Sequence, residues 1–165
     1  MIVKGKAYCF GKNIDTDQIY PGRYLELHEP HEIAKHVMEG ANSMFAAEVR
    51  PGDIIVGSTN FGCGSSREHA AIALKHVAIS VVVAESFACI FYRNCINLGL
   101  PLLVCPSISS HVAQGDTVEV DLAAGIVKNL SRGTEIQGEA LSDHIINIIR
   151  AGGIKPLFKA KYAAR

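Results

Sequence analysis

The segment that most limits the fold runs from Ile54 to Cys105. Ile54–Gly57 and Ile79–Ala84 are short, rich in β-branched residues and almost continuously apolar. Such runs suit strands covered on both faces. Between them lie a Gly-rich loop over residues 59–66 and a helical stretch from Arg67 to His76. Ser86–Leu98 reads as a second helix, with Ser86 placed to cap its start and Gly99 to stop it, and Leu102–Cys105 as a further strand. Right-handed crossovers produce this succession, so a parallel sheet with helices packed on it is expected.

The flanks add to this unit. Ile2–Phe10 alternates loosely and predicts a strand closed by Gly11, followed by a turn-rich loop from Asn13 to Tyr24 (NIDTDQIYPGRY). Glu32–Met38 has helical periodicity, and Pro51-Gly52-Asp53 is a turn before the first buried strand. The C-terminal third changes character. Asp116–Asp121 and Gly125–Asn129 alternate polar and apolar residues around a Leu-Ala-Ala link, as a half-exposed hairpin would. Ser142 opens a helix that runs through Arg150 and stops at Gly152-Gly153. Residues 1–165 are expected to form one α/β domain, with a mixed or parallel sheet flanked by helices.

Composition narrows the function. Lys plus Arg and Asp plus Glu both number 16, so the chain lacks the basic excess of a nucleic-acid or anionic-membrane surface. Its most apolar stretch, Val77–Ala84, is too short to span a bilayer, and MIVKGKAYCF has no signal-peptide core. A cytoplasmic protein with reduced thiols is expected. Cys9, Cys63, Cys89, Cys95 and Cys105 form no CxxC pair and no zinc-type spacing with histidine, so this chain is expected to hold no metal by itself.

The densest chemical feature is Asn60-Phe61-Gly62-Cys63-Gly64-Ser65-Ser66-Arg67-Glu68-His69. Two glycines let a ligand approach the backbone, the following helix start favours anions, and Arg67 offers a fork for a carboxylate. The segment Ser65-x-x-Glu68 also fits a capping box, which needs no ligand, and the two readings are compatible. The loop matches neither a Walker phosphate loop, nor a dinucleotide fingerprint, nor a nucleophile elbow. Cys63 and His69 suggest a thiol–imidazole pair, but closeness in sequence does not supply its geometry.

Three separated motifs, GKNIDTDQIYPGRYL, NFGCGSSREHA and AESFACIFYRNCINLGLPLL, occur in this order over nearly the whole chain. Together they resemble the small subunits of 3-isopropylmalate dehydratase and related homoaconitases, which are similar to the swivelling C-terminal β/β/α domain of aconitase. The resemblance implies a small subunit of a heteromeric hydro-lyase of leucine biosynthesis. Such an enzyme isomerises 2-isopropylmalate to 3-isopropylmalate by dehydration and rehydration, and only with its large subunit. It also implies a [4Fe–4S] cluster held by that large subunit and none bound by this chain.

By the same likeness Ser65 is the base, Ser66 and Arg67 bind substrate carboxylate beside Gly64, and Asp17 orients an acid–base residue of the partner. An Asp-rich turn capping its own backbone is the alternative for Asp17. Leu25, Glu26 and Leu27 fall in the loop that selects the substrate side group. Glu26 is unfavourable beside a second distal carboxylate, whereas Leu25 or Leu27 suits an alkyl group, which tilts the choice toward isopropylmalate. The alternatives are 2,3-dimethylmalate, methylmalate or homoaconitate, or a stand-alone carboxylate-binding module. Cys89 and Cys95 depart from the family's usual Arg and Ala, and Arg93 is family-like but suits packing within the domain.

Overall fold

A computed structural model describes residues 1–164. Strand β1 (Ile2–Cys9) leads through a one-turn helix α1 (Thr16–Ile19) and a 3-10 turn, Gly22–Tyr24, to helices α2 (Pro30–Ala34) and α3 (Phe45–Glu48). Next come β2 (Ile54–Gly57), α4 (His69–His76), β3 (Val81–Ala84), α5 (Cys89–Asn97) and β4 (Leu102–Val104). A short α6 (Ile108–His111) precedes β5 (Thr117–Asp121), β6 (Ile126–Asn129) and β7 (Thr134–Gln137). Helices α7 (Asp143–Arg150) and α8 (Ile154–Ala163) follow.

The seven strands form one sheet in the order β4-β3-β2-β1-β5-β6-β7. Strands β1 to β4 are mutually parallel and β5 to β7 form an antiparallel meander. Strand β1 belongs to both halves, since Ala7–Cys9 register with Ile54–Val56 and Ile2–Lys6 with Asp121–Thr117. Its own residues divide in the same way, alternately exposed at the start and buried at Ala7 and Tyr8. Every residue of β2 and β3 is buried, as two-faced coverage requires. Phe45 plugs one end of the core, meeting Tyr8 and Phe10 edge-on at 5.0 and 5.8 Å.

Several local expectations change. Ser86 does not cap α5, whose N-cap is Ala88. Its hydroxyl instead accepts from Asn60 N–H at 2.8 Å, because residues 86–88 pair with Phe61 before the helix begins. Gly99 does end α5: Gly99 and Leu100 N–H bond back to Ile96 and Cys95 in a Schellman closure. The helix expected over Glu32–Met38 runs from Pro30 to Ala34. Met38 turns left-handed (φ 58°) and donates its N–H to Ile19 at the end of α1. Ser142 caps α7 as expected, its side chain accepting from Ile145 N–H.

Candidate active site

Loops leaving the C-terminal ends of β1 and β2 meet above the sheet, where parallel α/β sheets bind ligands. Backbone bonds zip them together. Asn13 N–H donates to Thr59 O at 3.0 Å, Gly62 N–H to Ile14 O at 2.7 Å, and Thr16 N–H to Cys63 O at 2.7 Å. Asn13 and Asn60, both left-handed, also join side chain to side chain at 3.1 Å. In the loop after β2, Phe61 is fully buried and packs against Phe87, just beyond β3, and Phe91 of α5. Gly62, at φ +82°, has no room for a side chain: a Cβ there would stand 2.1 Å from Phe91 Cγ. The loop is thereby welded to α5 before it reaches the serines.

The next residues are open. Gly64 (φ +100°) turns the chain against Thr16, and Ser65, Ser66, Arg67 and Glu68 are all exposed. Ser65 is held by one neighbour, the buried Thr16. Its N–H donates to Thr16 Oγ1 at 3.1 Å, and the two hydroxyl oxygens stand 3.3 Å apart. The side chains of Ser66 and Arg67 make no hydrogen bond or ion pair with any described residue. The capping box expected at Ser65–Glu68 does not form: α4 starts at His69 with Glu68 in helical geometry as an N-cap that makes no side-chain bond. A real box caps α1 instead, Asp15 accepting from Gln18 N–H at 2.7 Å and Gln18 from Asp15 N–H at 3.0 Å.

Asp17 accepts from Gly22 N–H at 2.8 Å, so its carboxylate fastens a turn of its own chain. It also lines a small concavity together with Thr16, Tyr20, Leu25, Ser65, Arg67, His69 and Ala70. The fold thus brings four sequence-derived candidates together: Asp17, Leu25, Ser65 and Arg67. Gly64 and Ser66 lie on the exposed approach, Glu26 is exposed without a partner among the described residues, and Leu27 is half-buried against the core outside the concavity. Thr16 and Tyr20 were not named as site residues from the sequence, and His69 entered only as half of a thiol–imidazole pair. The signal for the first two was present: once Asp15-x-x-Gln18 is read as a helix start, Thr16 and Tyr20 fall one turn apart on a common face.

Two of these side chains have informative environments. The Tyr20 hydroxyl donates to Tyr24 O at 2.8 Å, and burial, with Tyr24 adding, holds its phenol above the usual range. It stays neutral at physiological pH. His69 Nδ1 is buried with no hydrogen-bond partner among the described residues, so no thiol–imidazole pair with Cys63 forms. Buried polar atoms in native structures are nearly always satisfied. The His69 side chain also lines the concavity.

All five cysteines are free and scattered. Cys95 and Cys105 are buried in the core, their thiols pushed up chiefly by desolvation, Cys105 to about 11. No three His, Cys, Asp or Glu side chains among the described residues are grouped to hold a metal ion. The donor set therefore does not fit an iron–sulfur cluster of this chain's own. Among the described residues no helix is long and apolar enough to cross a membrane.

Sheet, crossed loops and serine–arginine segment define an aconitase-type C-terminal domain, and the chain belongs to the aconitase C-terminal domain family, whose match covers residues 12–106. Within it the chain is similar to 3-isopropylmalate dehydratase small subunit 1 of Methanopyrus kandleri, 54% identical over 96% of this chain and 93% of that one. It is 53% identical to the isopropylmalate/citramalate isomerase small subunit of Methanocaldococcus jannaschii, over 98% of this chain and 96% of that one. A crystal structure titled 3-isopropylmalate dehydratase, from M. jannaschii, superposes with a TM-score of 0.94 at 41% identity. That match covers 99% of this chain and 97% of the other.

Proposed function

We propose that this chain is the small subunit of a hydro-lyase that interconverts 2- and 3-isopropylmalate by removing and re-adding water, completed by a large subunit. The observation that carries the proposal is the convergence of Asp17, Leu25, Ser65 and Arg67 on one concavity, with Ser65 and Arg67 exposed and Arg67 unpaired among the described residues. A chain that needed Arg67 for its own stability would pair it. This one leaves the guanidinium free for a carboxylate, beside helix-start N–H groups that favour an anion.

Ser65 Oγ takes the proton from the carbon next to that carboxylate. A serine hydroxyl is a weak base, so its alkoxide needs donors. Thr16 is placed to supply one, its hydroxyl 3.3 Å from Ser65 Oγ, and Arg67 adds positive charge. Loss of the substrate hydroxyl gives an unsaturated diacid; water then re-adds with the opposite orientation, and the serine returns its proton. A [4Fe–4S] cluster held by the large subunit would supply the Lewis acid for the departing hydroxyl, while this chain's Ser65 and Arg67 supply the base and the carboxylate contact. His69 Nδ1 is a further polar contact for the bound diacid, and Leu25 meets its alkyl branch.

Side-group choice follows from what lines the concavity. Among the described residues that line it, Arg67 is the one Lys or Arg, and Arg23, the nearest in sequence to Leu25, is turned onto Tyr24 and Glu39. A second distal carboxylate therefore has no counter-charge, which favours an alkylmalate over a homoaconitate-type substrate. The test is coexpression with the large subunit and assay against isopropylmalate, methylmalate, 2,3-dimethylmalate and homocitrate. Isopropylmalate turnover that needs both subunits is expected. Homocitrate turnover without isopropylmalate turnover would overturn the substrate assignment, and full activity of the lone chain would overturn the subunit assignment.

A further inference from the structure

Outside the concavity, one carboxylate gathers three partners. Glu39 Oε1 accepts from Arg23 Nη2 at 2.5 Å and from Tyr24 OH at 2.9 Å, and Oε2 stands 2.7 Å from His36 Nδ1. The Tyr24 and His36 rings stack at 3.6 Å, and the Arg23 guanidinium lies 4.7 Å over Tyr24. The His36 hydrogen bond is the largest cause and, with those from Tyr24 and Arg23, holds the Glu39 carboxyl below the ordinary carboxylate range, against burial, which ranks second and acts the other way.

The segment carrying Glu39 is itself fixed. Met38 N–H donates to Ile19 O at 2.6 Å and Gly40 N–H to Gln18 O at 3.1 Å, tying it to the end of α1. Glu39 therefore joins a rigid bracket on α1 to Arg23 and Tyr24, the two residues immediately before Leu25. Beyond Tyr24 the turn is held by backbone bonds, Leu25 N–H to Gly22 O at 3.3 Å and Leu27 N–H to Tyr24 O at 3.0 Å, and the Glu26 side chain has no partner among the described residues. Partly exposed ion pairs add little to stability, so a three-way clamp at this place matters for direction more than for strength.

We propose that Glu39 is the positioning residue for the substrate's alkyl branch, fixing the Arg23–Tyr24 turn so that Leu25 faces the concavity. The proposal rests on the assignment of Leu25 as the contact for that branch. Apolar pockets distinguish substrates differing by a methylene or two by about 10–200-fold, and an unclamped Leu25 forfeits part of that range.

The test measures Glu39→Gln and Tyr24→Phe in two ways: kcat and KM for isopropylmalate and methylmalate in the two-subunit complex, and backbone hydrogen exchange over residues 22–28 in the full chain. For Glu39→Gln the expected results are an isopropylmalate KM raised about tenfold, kcat within about twofold of the parent, a methylmalate KM nearly unchanged, and faster exchange at residues 25–27. Tyr24→Phe, which removes one hydroxyl, moves the same quantities in the same direction by less. Unchanged exchange at residues 25–27, or an unchanged ratio of the two KM values, overturns the clamp. A parent complex that converts neither malate defeats the functional assignment instead, while the exchange measurement still judges the clamp.

Discussion

The two halves of the sheet handle polar groups in opposite ways. In the antiparallel half, Asn129 is 1% exposed and fully bonded. Its Nδ2 donates to His111 O and Asp116 Oδ2, and its Oδ1 accepts from Ser131 and Arg132 N–H. Asp116 also accepts from Ala113 N–H and Arg132 Nε, and these bonds, the Ala113 one first, hold its carboxyl below the usual range. In the parallel half, Ser66 and Arg67 stand exposed with free side chains, and His69 keeps a buried nitrogen unsatisfied among the described residues. One half satisfies these buried polar groups internally, and the other leaves polar groups open at the concavity. That contrast separates architecture from chemistry within one continuous sheet.

The contrast can be broken by substitution. Ser65→Ala should lower turnover of the two-subunit enzyme by about 10²–10⁴-fold, the range of a general base. Melting temperature and co-purification with the large subunit should not change, because Ser65 is exposed. A near-normal rate would reassign the base. Asn129→Leu should do the reverse, costing about 3 kcal/mol in denaturant unfolding because it strands several buried polar groups. Activity per folded molecule should hold, and an equal loss of both would mean that the halves are coupled. Thr16→Val tests a residue that is both buried and in contact with Ser65. It keeps the shape and removes the hydroxyl, so turnover should fall about tenfold, with a stability loss of about 1 kcal/mol in the same unfolding experiment. A larger stability loss than rate loss would make Thr16 a structural residue alone.

What the sequence revealed depended on how local its cause was. Strands β1 to β4 were legible because runs such as Val81–Val83 are continuously apolar, and the Gly99 closure because one residue's backbone freedom decides it. Strand β7 was missed because Thr134–Gln137 is largely exposed and carries no apolar alternation, its pairing being set by the tight return after β6. Helix α8 was missed as well: it begins just after the glycine pair that stops α7 and buries no residue fully. Ser86 was misplaced because its bond is to Asn60, 26 positions away. The same limit applies at the site. Ser65 and Arg67 were visible as a motif, whereas Thr16 touches Ser65 across 49 positions and His69 acquires its role only when the β1 and β2 loops cross.

The double membership of β1 has a consequence for how the chain reaches this state. Ile2–Lys6 find their partners in Thr117–Asp121, more than a hundred residues later. Pairings so distant are slow to form, because a long loop must close before any contact rewards it. Until then the first half of β1 is a bare strand edge, open to the edge of another molecule. Lys4 and Lys6 occupy its exposed alternate positions, where charge discourages such pairing. Replacing both lysines, remote from the concavity, with threonine should raise light scattering during refolding while leaving the folded site unchanged.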